Sequence, residues 1–241
     1  MRNIILVLLT ALADVALCPP QVFADFVPPN LPPGSQYQLI FVTRDTRDAG
    51  STDIADYNAF VTAQALLSPS LPTTQWHAVG STRDVDAITN APSGLGVAVY
   101  DTQGGVVVPS SASLYGLGAT NRVPFDQFGQ SVEGGHPVWT GSRPSGIASS
   151  FPLGGFLGYS SIGRNTTPFL SPDLVLSWLV SMADDGNAGN LTPTLLPLYA
   201  LSDPITVAVP EPGTWALACI SLLLSVASRP LFRRARKTSL F

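Results

Sequence analysis

The clearest pattern of apolar and polar positions lies at Tyr37-Gln38-Leu39-Ile40-Phe41-Val42-Thr43, a run rich in β-branched and aromatic residues that predicts a strand. Before it, Phe26 to Ser35 holds four prolines and is expected to be an extended leader. After it, Ser51-Thr52-Asp53 forms a helix start, because the Asp53 carboxylate can accept from the unpaired N–H groups of a first turn. The helix is predicted over Ile54 to Leu67, with Ala55, Ala59, Phe60, Ala63, Leu66 and Leu67 as its apolar face. Further strands are expected at Trp76 to Ser81 and Gly96 to Tyr100. The latter turns through Asp101 to Gly105 into Val106-Val107-Val108, and the Gly104-Gly105 pair suits a hairpin turn because it tolerates positive φ.

Beyond Tyr115 the pattern is loop-like as far as Pro137-Val138-Trp139-Thr140-Gly141, and Ser142 to Asn165 is rich in Gly and Ser with little periodicity. Asp173 to Leu179 reads as a strand or short helix, and Leu195 to Leu201 and Ile205 to Val209 close the region with β character. There is no internal repeat. The expected fold class is β-rich α+β, in one compact domain.

Both ends of the chain depart from this pattern. Met1-Arg2-Asn3 followed by the apolar run Ile4 to Leu12, with Val22-Phe23-Ala24 before Asp25, has the form of a secretory signal peptide cleaved after Ala24. At the other end, Val209-Pro210-Glu211-Pro212-Gly213 precedes an almost uncharged run from Thr214 to Ser228, then Arg229, Arg233, Arg234, Arg236 and Lys237. An apolar run of about 15 to 19 residues lies near the lower limit for a membrane-spanning helix. The basic residues would hold its end on the cytoplasmic side. The expected organisation is a signal peptide over 1–24, an exported domain over 25–208 and a C-terminal membrane segment over 209–241.

Removing the two ends changes the charge picture. The whole chain carries a net −4, but residues 25–208 hold six basic and fourteen acidic groups, a net −8, with no lysine. Such a surface repels nucleic acid, so no nucleic-acid partner is expected. Cys18 and Cys219 both lie in the terminal segments, which leaves the exported domain without disulfides or thiol chemistry. About 184 residues are enough to bury a core without such staples.

The C-terminal arrangement closely resembles the PEP-CTERM sorting signal of exopolysaccharide-producing Gram-negative bacteria. The resemblance implies that Pro210, Glu211 and Pro212, with Val209 before them, form a recognition motif for a membrane enzyme of the exosortase type. It further implies delivery of the domain to the cell surface or extracellular matrix, among exopolysaccharide. The middle of the chain is similar to bacterial surface domains related to the C-type lectin and endostatin-like fold. The matching residues are Phe41-Val42-Thr43, Ala55-Asp56, Trp76-His77-Ala78, Val99-Tyr100 with Gly104, Val138-Trp139-Thr140-Gly141, Trp178 and Leu198-Tyr199. Those domains usually carry paired cysteines that this chain lacks, so a hydrophobic core including Trp76, Trp139 and Trp178 must take their place.

Catalytic signals are absent. His77 lies in an alternating strand and His136 in a Gly-Gly-His-Pro turn, with no Gly-x-Ser-x-Gly elbow, HExxH or phosphate-binding loop. No enzymatic activity, cofactor or metal is expected. Asp45, Asp48, Asp53 and Asp56, or Asp184-Asp185-Gly186-Asn187, could gather oxygens around calcium, but helix-start and turn roles explain them better. Trp139 and Tyr115 are the candidate sugar-stacking residues if the domain is instead a carbohydrate-binding module of C-type-lectin-like fold, with core packing the competing role for Trp139. The leading expectation is a non-catalytic structural or adhesive surface protein.

Overall fold

The structure, a computed structural model, describes residues 26–93, 96–115, 123–132, 136–155, 160–164, 169–171, 174–176, 182–184 and 194–209. In chain order its elements begin with β1 (Gln36–Val42), α1 (Ile54–Leu66), β2 (Trp76–Ala78), α2 (Ala87–Asn90), β3 (Ala98–Tyr100) and β4 (Val106–Val108). They continue with β5 (Pro137–Trp139), β6 (Ser160–Arg164), β7 (Phe169–Ser171), β8 (Leu174–Leu176), β9 (Met182–Asp184), β10 (Tyr199–Ser202) and β11 (Ile205–Thr206).

Strand β1 is the predicted run, and all its residues from Tyr37 to Val42 are buried. Successive side chains point to opposite faces, so a strand buried on both sides must feed two cores. Tyr37, Leu39 and Phe41 join one cluster with Tyr57, Val61 and Trp76, while Ile40 and Val42 join the other with Val99, Val138 and Tyr199. This double burial places β1 at the centre of a six-stranded mixed sheet of order β2-β10-β1-β3-β4, with β11 also paired to β1. β1 runs antiparallel to β10 with Ile40 opposite Leu201, and parallel to β3 with Gln38 opposite Val99. A smaller sheet, β5-β6-β9, and a β7-β8 ribbon complete the strands. The segment from Ser142 to Asn165, expected as loop, therefore contains β6, and β8 is the strand form of the Asp173–Leu179 segment.

Helix α1 begins as predicted: Asp53 Oδ1 accepts from Ala55 N–H at 2.9 Å. Its buried face is different from the expected one. Tyr57, Val61, Gln64 and Ala65 face the core, whereas Ala55, Ala59, Ala63, Leu66 and Leu67 are exposed and Phe60 is half-buried. Large contacts decide the orientation over small apolar ones. Tyr57 fills the core and its hydroxyl donates to Ser51 O at 2.8 Å. The Gln64 amide is compensated in burial by donating to Asp45 Oδ2 and accepting from Gln127 Nε2, both at 2.9 Å.

The outer edge of β2 is closed by side chains. Asn58 of α1 accepts from Ala78 N–H through Oδ1 at 2.8 Å, and Asn90 of α2 donates to Ala78 O at 2.8 Å. The two amides also pair reciprocally, at 2.8 and 2.9 Å, and Thr62 donates to Trp76 O at 3.3 Å. Unpaired backbone groups on an edge strand invite pairing with another chain, and these contacts remove that opportunity. At the β3–β4 hairpin, Asp101 Oδ1 accepts from Gln103 N–H and Gly105 N–H, each at 2.8 Å. Gly104 adopts φ +86° there, the left-handed geometry a turn of this kind needs. The result is a compact, β-rich α+β domain with a mixed sheet and few helices.

Candidate functional site

The C-terminal exit is built by the last strand. After β10, the chain continues in the same direction through Asp203-Pro204, and β11 pairs antiparallel with the start of β1, with Gln36 opposite Thr206 and Tyr37 opposite Ile205. Val207 N–H then donates to Ser35 O at 2.8 Å, and Gly34 N–H donates to Val207 O at 2.9 Å. Val207 is buried in the core cluster that contains Tyr37 and Leu71. Two residues later Val209 is 63 % exposed. The rest of the predicted sorting motif, Pro210, Glu211 and Pro212, lies outside the described residues, as do Arg229, Arg233, Arg234, Arg236 and Lys237. So do the expected signal peptide over 1–24, both cysteines, and the apolar run Thr214 to Ser228. Among the described residues no helix is long and apolar enough to cross a membrane.

The N-terminal leader meets this exit. Phe26 N–H donates to Ser70 O at 2.8 Å, and Tyr37 Oη donates to Phe26 O at 2.7 Å. These bonds fix the residues next to the expected signal-peptide cleavage point against the same strand that receives β11. Beside them the loop after α1 forms an open groove of about 390 Å3, lined by Leu66, Ser68, Pro69, Leu71, Thr73 and Trp76 among others.

The two candidate sugar-stacking residues are engaged in the fold. Trp139 is 1 % exposed, and its indole N–H donates to Arg47 O at 3.0 Å, so its ring offers no face to a pyranose. It is a core residue. Tyr115 is half-buried, and its hydroxyl lies 2.8 Å from Ala87 O and 3.0 Å from Ala91 O. Its ring lies so close to Gly146 that a Cβ at that position would stand 2.5 Å from Cδ1. Burial pushes the Tyr115 phenol well above its ordinary pKa, as befits a neutral donor fixed between carbonyls.

The carboxylates after β1 are likewise occupied. Asp45 accepts from Gln64, Asp48 Oδ1 from Gly50 N–H at 2.8 Å, Asp53 caps α1, and Asp56 Oδ2 accepts from Ser51 Oγ at 2.6 Å. No group of three or more His, Cys, Asp or Glu side chains that could hold a metal ion occurs among the described residues. Asp184 ends β9, while Asp185, Gly186 and Asn187 lie outside the described residues, as does Trp178.

His77 pairs through Nε2 with Asp203 Oδ1 at 3.0 Å, a contact across 126 residues of chain that no local motif announces. A catalytic histidine relays between an acid on one ring nitrogen and a nucleophile on the other. The second nitrogen, Nδ1, is buried and has no hydrogen-bond partner among the described residues. His136 is exposed, immediately before β5. Also unforeseen is the ion pair of Arg44 with buried Asp126, at 2.6 Å, in a chain of contacts that runs through Gln127 and Gln64 to Asp45. The nearest signal was Asp126-Gln127-Phe128-Gly129, a turn in which Asp126 Oδ1 accepts from Phe128 and Gln130 N–H groups. Compared with known proteins, the chain matches no protein-family model, and no curated protein is significantly similar to it.

Proposed function

We propose that this chain is an exported surface or extracellular-matrix protein of the PEP-CTERM kind, non-catalytic, with a structural or adhesive role among exopolysaccharide. Its site of action during export is the C-terminal signal. Val209, Pro210, Glu211 and Pro212 serve recognition by an exosortase-type enzyme. Thr214 to Ser228 holds the membrane, and Arg229 to Lys237 stays on the cytoplasmic side. One observation carries the reading: a Pro-Glu-Pro motif begins three residues after Val207, which is bonded to Gly34 and Ser35 just ahead of β1, and an apolar run and a basic end follow it in the sequence. The motif is thus attached to a finished fold by an exposed Val209.

The domain itself is proposed to be C-type-lectin-like. Support comes from how its short matching motifs converge. Phe41 meets Trp76 edge-on with ring centres 5.0 Å apart, Val42 lies opposite Tyr199, and Trp139 bridges Leu198. Residues scattered from 41 to 199 therefore meet around one strand. A lectin activity gains no corresponding support, since Trp139 and Tyr115 are both engaged internally.

The test is Glu211→Ala in the full chain with Thr214 to Ser228 intact. Loss of processing and of surface delivery is the expected result. Unchanged processing would reduce the C-terminus to a plain membrane anchor.

A further inference from the structure

The topology of the main sheet sorts its charges. β1 starts at Gln36, β2 at Trp76 and β3 at Ala98, while β10 ends at Ser202. Because β1 is parallel to β3 and antiparallel to β10, and β10 is antiparallel to β2, these four points share one end of the sheet. The segments that converge there are the leader 26–35, the loop 67–75 and the exit 203–209, with Phe26 bonded to Ser70, Gln75 to Asp203 and Gly34 to Val207. In these segments Asp203 is the one Asp, Glu, Lys or Arg residue, and its carboxylate is paired with His77.

The opposite end is charged. It carries the Arg44–Asp56 segment after β1 and Arg83, Asp84 and Asp86 after β2, with Asp126 bonded to Arg44. The uncharged end also exposes apolar side chains: Leu66 at 72 %, Leu67 at 54 % and Val27 at 41 %, besides Val209.

We propose that the uncharged end is a membrane-facing surface that rests on the lipid headgroups of the bilayer in which the chain is anchored before processing. This rests on the reading of Thr214 to Ser228 as a membrane segment. From Val209 to Thr214 is five residues, which reach about 17 Å at most when fully extended. The interfacial layer outside the hydrocarbon is itself about 5–8 Å thick on each side. The tether therefore brings this end of the sheet to the headgroups. Charged groups pressed into that layer would lose water at a cost, and these three segments hold one, already paired. Leucine and valine side chains there gain by leaving water. The acidic end is repelled by anionic headgroups, so the same charge division turns it outward, toward the matrix.

The experiment uses the full chain with Cys18→Ser and Cys219→Ser, so that the introduced cysteine is the one thiol, reconstituted in phosphatidylethanolamine–phosphatidylglycerol vesicles. Spin labels are placed at Leu67→Cys or, at the opposite end, Thr46→Cys, both exposed positions. Relaxation by a nickel-chelating lipid should be severalfold stronger at 67 than at 46, and Val27→Cys should behave as 67 does. Adding Leu66→Glu to the Leu67→Cys chain should weaken the effect without altering the circular dichroism. Equal or reversed relaxation in a chain that floats with the vesicles overturns the orientation while leaving the anchor intact. Failure to float overturns both. A difference that appears only in membranes containing the processing enzyme would assign the surface to that enzyme and not to lipid.

Discussion

Replacing Asn58 by alanine should destabilise the domain far more than its half-buried position suggests. Asn58 Oδ1 accepts from Ala78 N–H at 2.8 Å, and the amide exchanges two hydrogen bonds with Asn90. Ala78 is fully buried, so Asn58→Ala leaves its N–H without an acceptor and without water. An orphaned buried donor costs about 1–3 kcal/mol, and the lost amide pair adds about 1 kcal/mol. A total near 3 kcal/mol corresponds to a fall in Tm of roughly 6–12 °C for a domain of this size. Thr62→Val provides the contrast. Its hydroxyl meets Trp76 O at 3.3 Å, a weak bond worth about 0.5 kcal/mol. The assay is urea unfolding of residues 25–208 followed by tryptophan fluorescence, with Asn58→Asp as a variant that keeps the acceptor oxygen. Asn58→Ala falling within 0.5 kcal/mol of the parent, a threshold of about one weak hydrogen bond, would refute the view that side chains seal this sheet edge.

Other expectations follow from the same contacts. Trp139→Phe should cost about 2 kcal/mol, through the lost bond to Arg47 O and a small cavity, measurable by the same unfolding curve. Asp126→Ala should cost about 2–4 kcal/mol, because it strips Arg44 and the Phe128 and Gln130 N–H groups of their acceptor at once. Burial holds the Tyr57 phenol neutral and pushes its pKa up from 10.0 to about 12, against the lowering influence of Arg47. Its contribution to stability is therefore complete below pH 10 and is lost as pH rises through about 12, at ~1.4 kcal/mol per pH unit. Burial raises Tyr115 and Tyr199 as well, so alkaline unfolding should be steeper than one tyrosine predicts; a Tyr57→Phe variant should flatten it.

Local chemistry was legible in the sequence where it acts locally. The β1 run, the Asp53 cap and the Asp101–Gly105 hairpin each depend on neighbours within a few residues, and each stands where the pattern put it. The face of α1 was not legible, because its alanines contribute little area and one residue of the buried face that Tyr57 and Val61 define, Gln64, is polar. Gln64 is buried only because Asp45 and Gln127 satisfy its amide. Pairings at long range were equally hidden. Asn58 meets Asn90 across 32 residues and His77 meets Asp203 across 126, and nothing in either neighbourhood encodes the partner. The five residues of β6, Ser160-Ser161-Ile162-Gly163-Arg164, hold a single large apolar side chain and so carry no period, which is why the pattern of this Gly- and Ser-rich region predicts loop.

For the candidate site the balance is reversed. The proposed sorting signal, Pro210 to Lys237, rests on the order of its parts in the sequence, motif, apolar run and basic end, which is the order a bilayer would require, and it lies outside the described residues. What the fold adds is placement. Leader and exit are bonded to each other at Gly34, Ser35 and Val207, so the described residues nearest the two proposed processing points, Phe26 and Val209, belong to segments that meet at one end of the sheet. Trp139 and Tyr115 stood out by residue type alone, and their type is satisfied equally well by a core and a hydrogen-bonded turn.

The central claim is that both ends of this chain are addresses removed during delivery. The intact mass of the protein recovered from the cell surface tests it most directly. The expected species begins at Asp25 and has lost the segment beyond the Pro210-Glu211-Pro212 motif, including Arg229 to Lys237. A surface species whose mass still includes the basic end would contradict the claim.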